Sequence, residues 1–117
     1  MRWLVALLAL GAGGVHAQWE FSAPLDVVPG ATAFFHVESA GRRNIAVSGT
    51  TVAVAWEDDR DGIPRCHVAL KVLDADHFAP PARLSGTGEC AEPVVHAVAD
   101  GAFLAGWEEA GRVRVRR

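Results

Sequence analysis

The chain has 117 residues, half of them apolar, and its 11 basic and 14 acidic side chains give a net charge of −3. This composition is typical of a globular protein rather than a disordered one. The slight acidity excludes a global basic field that would attract nucleic acid or an anionic membrane. The length is sufficient for one small domain.

The first 17 residues predict a secretory signal peptide. Arg2 supplies a positive start, residues 4–10 are an apolar run, and residues 15–17 (Val-His-Ala) form a small-residue cleavage site. The apolar stretch is shorter than the roughly 20 residues that span a bilayer; an uncleaved anchor is the alternative. We expect a secreted or periplasmic mature chain (residues 18–117) that starts at Gln18 and has no membrane span.

A sequence repeat occupies most of the remaining chain. Residues 45–58 (IAVSGTTVAVAWED) return without a gap as residues 96–109 (HAVADGAFLAGWEE), and both copies end in Trp-Glu-acid. Short strands with Gly-containing turns, repeating at about 40–50 residues, are typical of β-propeller blades. The repeat therefore predicts an all-β fold made of antiparallel four-stranded blades.

The first copy predicts one complete blade over residues 44–85. The alternation of apolar residues and the Gly, Asp and Pro turns place its strands at residues 44–47, 51–57, 66–73 and 82–85. The last is expected to be a short outer edge strand, because two prolines precede it.

The second copy predicts a partial blade of three strands over residues 93–117. The outer strand that would complete it is predicted at residues 21–27, where Phe precedes Pro as it does before the outer strand of the first blade. About two blades of an incomplete ring result, and a small β-sandwich is the alternative. Within residues 28–43 we expect only an extra strand around Phe34 and Phe35.

The two cysteines, Cys66 and Cys90, fit an oxidising compartment. We predict that they form a disulfide. Two buried free thiols are the alternative, because the separation of the two Cα atoms cannot be read from the sequence.

The pattern Ile-Ala-Val-Ser-Gly-x-x-Val-x-Val-x-Trp-Glu-Asp-x-Arg-Asp-Gly, followed by a strand, an Asp turn, Phe-x-x-Pro and Arg-Leu-Ser, resembles the repeats of sialidase-like (Asp-box) β-propellers. The resemblance covers residues 44–109 and, more weakly, residues 21–27. It implies a propeller fold, but not the enzymatic activity of the family. Those enzymes use a Tyr nucleophile and an Arg-Ile-Pro motif, and this chain contains neither; its turn at residues 72–78 keeps only one Asp and an aromatic of the Asp box.

Trp56 and Trp107 are equivalent residues late in the second strand of each repeat, and both are candidate ligand-binding residues. An exposed indole would stack on a sugar ring. The alternative is that each indole packs between blades, where a large aromatic buries about 150–250 Å².

Asp58, Asp59 and Arg60, which continue the first triplet into a polar loop, are also candidate ligand-binding residues. Glu57, Asp59 and Asp61, followed by Gly62, have the spacing of the start of a calcium loop, but Val68 stands where that loop needs a bidentate carboxylate. Ordinary turn chemistry explains the loop without an ion. We predict no metal and no cofactor.

The final residues alternate Arg and Val from Arg112 to Arg116. In a strand, the arginines would share one face and the valines the other. This pattern fits either an anion-binding stripe or a solvated edge strand whose charges prevent aggregation.

The expected function is that of an exported, non-catalytic β-propeller-type module that binds glycan or protein through rim loops, or of a part of a larger propeller protein. The alternative is a partial sialidase-like glycoside hydrolase whose active-site residues lie outside this chain. Since two blades leave apolar faces open, we also expect self-association or pairing with further blades, through faces that carry Val54, Val98 and Phe103.

Overall fold

The computed structural model describes residues 22–30, 35–36 and 43–117. These residues contain no helix, and hence none that could cross a membrane. The all-β prediction is confirmed for this part of the chain, whose strands are β1 (Phe35–His36), β2 (Ile45–Ser48), β3 (Thr51–Asp58), β4 (Arg65–Val72), β5 (Ala82–Arg83), β6 (Cys90–Ala97), β7 (Phe103–Glu109) and β8 (Arg112–Arg116).

Strands β1 to β5 form the first sheet, which is antiparallel throughout. β1 and β2 lie end to end along one edge of β3, so the sheet is four strand positions wide. The β2–β3 hairpin turns at Gly49, whose φ of 58° is the positive value that a type II′ turn needs at its first central residue. The four strands predicted over residues 44–85 are present as β2 to β5.

Strands β6, β7 and β8 form the second, antiparallel sheet. The ladder between β6 and β7 shifts register between Ala91 and Val94, and Glu92 there has a φ of 57°. β6 alone pairs with both halves of β7, whereas in the first sheet β1 and β2 share the corresponding edge of β3. The extra strand predicted around Phe34 and Phe35 is present at Phe35, whereas Phe34 lies outside the described residues.

The outer strand predicted at residues 21–27 is not formed by residues 22–27, and Phe21 lies outside the described residues. Pro24 lacks the N–H that a sheet ladder requires, and Leu25, which would have to pack, is exposed. Among the described strands, β8 consequently has only β7 as a partner.

The two sheets pack face to face, with β6 against β2, β3 and β4. Small residues of β3 meet larger residues of the second sheet, so the two backbones approach closely. The buried core between them consists of Ala53, Ala55, Cys66, Leu84, Cys90, Val95, Ala105 and Trp107. This arrangement fits a small sandwich; a closed propeller ring remains a prediction.

Contacts at three levels fix the two sheets to each other. At one end Cys66 and Cys90 form the predicted disulfide, with Cα atoms 5.7 Å apart. In the middle, the Val95 N–H donates to the Arg43 carbonyl at 2.8 Å. At the other end, Ser48 Oγ donates to the Val98 carbonyl at 2.7 Å.

The contacts at the two ends bring the strand ends of both sheets together, so the loops of both sheets lie at the same two ends of the molecule. We call these ends rims. We call the loops beside the disulfide the disulfide rim, which comprises residues 59–64, 86–89 and 110–111. The loops at the opposite ends of the strands form the far rim, which comprises residues 49–50, 73–81 and 98–102.

Candidate functional site

The two repeated tryptophans are buried. The Trp56 ring stacks on the His67 ring, with centroids 5.8 Å apart and planes inclined by 19°. The indole N–H of Trp107 donates to Glu109 Oε2 at 3.1 Å. Neither indole presents a free face on which a sugar could stack. Trp107 packs in the core between the sheets, whereas Trp56 lies on the face of β3 opposite to Ala53 and Ala55 and packs on His67.

The last residue of each Trp-Glu-acid triplet is a buried carboxylate, Asp58 in the first repeat and Glu109 in the second. Asp58 accepts hydrogen bonds from the Arg60 backbone N–H at 2.9 Å and from Arg60 Nε at 2.6 Å. Burial by itself would raise the pKa of Asp58, but the hydrogen bonds from Arg60 outweigh it and hold the pKa below its usual value. Asp58 is therefore ionised at neutral pH.

Glu109 fixes the loop that joins the two sheets. Its Oε2 accepts from Trp107, and its Oε1 accepts the Gly88 N–H at 3.3 Å. The hydrogen bond from Trp107 is the main cause that holds the pKa of Glu109 below its usual value. A Cβ on Gly86 would lie 2.8 Å from Glu109 Oε1, so a larger residue there would displace the carboxylate from its present position.

Two arginines donate hydrogen bonds to backbone carbonyls of the same loop. Arg65 Nη1 donates to the carbonyls of Thr87 and, at 2.6 Å, of Gly88. Arg83 Nε donates to the Ser85 carbonyl at 3.0 Å. With the Cys66–Cys90 disulfide beside it, the loop at residues 86–89 of the disulfide rim is tied by covalent, charged and backbone contacts.

The structure brings together two of the three loop residues predicted as candidates, since Arg60 is bound to Asp58. The third, Asp59, closes the loop by accepting the Gly62 N–H on its own carbonyl at 2.7 Å. Sequence reasoning missed Ile63, a large apolar side chain that is exposed in this loop. The sequence signal that could have identified Ile63 was a large apolar residue inside a polar loop with Gly and Pro, outside any predicted strand.

The two buried triplet acids at the rim are held as ionised carboxylates. Within residues 22–30, 35–36 and 43–117, no three His, Cys, Asp or Glu side chains are grouped so that they could hold a metal ion. A general acid at neutral pH needs a raised pKa, and the pKa values of both buried triplet acids, Asp58 and Glu109, are lowered.

The alternating arginines of β8 lie on the face of the second sheet that carries Trp107, because Arg114 pairs with Trp107 and Arg116 with Ala105. Near Arg116, a cleft of about 320 Å³ opens between the two sheets, with Leu70 and Phe103 in its wall. All five residues of β8 are exposed. Arg116 therefore borders this cleft, and the alternating arginines form a solvated stripe.

Neither the family models, nor the curated proteins, nor the solved structures include a match to this chain. The resemblance to sialidase-like propellers therefore rests on the residues of the repeat alone.

Proposed function

We propose that this chain is an exported, non-catalytic, propeller-type module that binds a protein partner through the loops of the disulfide rim. The observation that carries the proposal is the way the two repeats stack. Ala53 and Ala55 of the first sheet face Ala105 and Trp107 of the second.

The stacking is head to tail. The repeat counterparts of Ala53 and Ala55 are Leu104 and Gly106, which lie on the other face of β7 and not in the core. Each sheet thus uses a different face for the shared contact. Adjacent propeller blades pack in this way, each presenting one face to the preceding blade and the other to the next.

Export is supported by the predicted signal peptide and by the disulfide, since disulfides persist in secreted and periplasmic proteins. The non-catalytic assignment is supported by Asp58 and Glu109, whose carboxylate oxygens are engaged in structural hydrogen bonds.

A protein partner is favoured over a glycan because both repeated tryptophans are buried, whereas Ile63 is exposed on a fixed loop. Loops held on a rigid scaffold are common binding sites, because little conformational entropy is lost when the partner binds. Arg60 and Asp61, both exposed, add charge beside Ile63.

Site-specific photocrosslinking in the organism that produces the protein tests this proposal. A benzophenone amino acid at Ile63 should give a discrete adduct with another protein. The matched control is Leu73 on the far rim, which is similarly exposed (53% against 43% for Ile63) and should give none. Equal labelling at both positions, or none at Ile63, would reject the rim as the binding surface, and turnover of a fluorogenic sialoside by the purified chain would contradict the non-catalytic assignment.

A further inference from the structure

The outer face of the second sheet, turned away from the first sheet, is apolar and open. Val94, Leu104, Val113 and Val115 are exposed on it, and they line a groove of about 440 Å³ together with Glu108. We call this surface the open valine face.

In the first sheet, the residue that corresponds to Val113 is buried. Glu57 pairs with Cys66, and its repeat counterpart Glu108 pairs with Val113, so Cys66 and Val113 occupy the same place in the two sheets. Cys66 is 0% exposed and Val113 is 85% exposed. The difference arises because the second sheet covers the first, and no described segment covers the second.

A complementary face on the first sheet is open around Ile45 and Val47, whereas Trp56 at its other end is buried. Ile45 pairs with Val54 there, and Val95 pairs with Ala105, the repeat counterpart of Val54, so Ile45 and Val95 occupy equivalent places. Val95 is 1% exposed because it is packed between the sheets, whereas Ile45 is 64% exposed, and Val47 beside it is also exposed. We call this surface the isoleucine face.

We propose that the open valine face of one copy of this chain docks on the isoleucine face of a second copy. The contact would repeat, between chains, the head-to-tail contact that joins the two sheets within one chain. The repeat identifies the second copy as the docking partner. Within one chain, Ala53 and Ala55 are covered by the inner face of the second sheet, and the isoleucine face is the counterpart of that inner face in the first sheet.

A polar contact supports the same occupant. Within the chain, Glu57 reaches across the sheet interface and accepts the backbone N–H of Glu92. Its counterpart Glu108 is exposed on the open valine face, where it could accept an N–H from the next copy in the same way. A contact between two different faces of identical chains is heterologous, so it generates a ring if the rotation closes and a filament if it does not.

Two single variants test this docking, each placing a charge on one face at a position of similar exposure. They are Ile45→Asp on the isoleucine face and Val115→Asp on the open valine face, where Val115 is 68% exposed. Leu73→Asp, on the far rim, is the matched control. Sedimentation velocity of the wild-type chain should show concentration-dependent association, and melting curves should show that all three variants fold.

Each face variant alone should associate at least about tenfold more weakly than wild type, because a charge would be buried in an apolar contact, while Leu73→Asp should match wild type. An equimolar mixture of Ile45→Asp and Val115→Asp should form a 1:1 complex, since each variant retains the face that the other lacks. A wild-type monomer at all concentrations would overturn the proposal. So would failure of the mixture to associate, or unchanged self-association of Ile45→Asp alone, which would indicate that two open valine faces pair with each other. None of these outcomes depends on the rim partner.

Discussion

Glu109 is the residue that joins the second sheet to the rim loop, because it accepts from both Trp107 and Gly88. We predict that Glu109→Ala lowers the melting temperature clearly, since it leaves the buried Trp107 N–H and the partly buried Gly88 N–H without their acceptor. Glu89→Ala removes an exposed carboxylate from the same loop and should change the melting temperature little. Thermal unfolding by circular dichroism measures both, and equal effects would show that the Glu109 hydrogen bonds do not stabilise the fold.

His67, which stacks on Trp56, makes stability depend on pH near neutrality. Burial lowers the pKa of His67, although the nearby Asp58 charge opposes the shift. In the unfolded chain the pKa returns to about 6.5, so below that pH the unfolded state binds more protons than the folded state. The contribution of His67 to stability is therefore complete above about pH 6.5 and declines as the pH falls toward the lower folded-state pKa.

We predict that His67→Gln flattens this decline. Urea unfolding of wild type and variant at several pH values between about 7 and 5 measures the slope of the unfolding free energy. Parallel slopes in the two proteins would exclude the burial of His67 as the cause.

At the scale of elements, the β7–β8 hairpin contains an avoidable strain. Both central residues of its turn have positive φ, 50° at Ala110 and 71° at Gly111, as in a type I′ turn. Alanine is unfavourable there, whereas Asn-Gly is the preferred pair. Ala110→Asn should stabilise the chain by about 0.5–1 kcal/mol, and Gly111→Ala should destabilise it. Urea unfolding gives both values, and a loss of stability in Ala110→Asn would contradict the turn assignment.

For the whole molecule, the disulfide matters because it ties one sheet to the other. Cys66 and Cys90 are separated by 24 residues, and closing a loop of that size restricts the unfolded chain by about 3 kcal/mol. The double variant Cys66→Ser/Cys90→Ser should lose stability of that order in urea, relative to the oxidised wild type. A double variant as stable as wild type would indicate that the hydrogen bonds between the sheets suffice to hold them together.

The proposed export is also tested on the whole chain. Material recovered from a secreting host should begin at Gln18, because residues 15–17 fit the cleavage rule. Mass spectrometry of the exported protein measures this. An intact Met1 would contradict the cleavage, and retention of the chain in membranes would favour the uncleaved anchor.

The sequence alone was sufficient to predict the strands of the two repeats, because alternating apolar residues and Gly turns act locally. The strands of residues 44–85 and 93–117 agree with the structure to within a few residues, apart from the earlier start of β6 at Cys90. The outer strand at residues 21–27 was predicted because it resembles a later segment. Similarity between two segments does not show that a sheet edge is available for the first one to pair with. The Cys66–Cys90 pairing was predictable only as one of two alternatives.

Tertiary packing decided which faces are buried. The repeat gives Trp56 and Trp107 the same local pattern, and both proved to be packed, one on His67 and the other against Glu109. Sequence periodicity shows that a strand has two apolar faces, but not which face meets another sheet, because burial depends on residues far apart in the chain. For the same reason, the rim formed by Arg65, Gly88 and Glu109 and the two open faces at Ile45 and Val113 became visible only when the sheets were placed together.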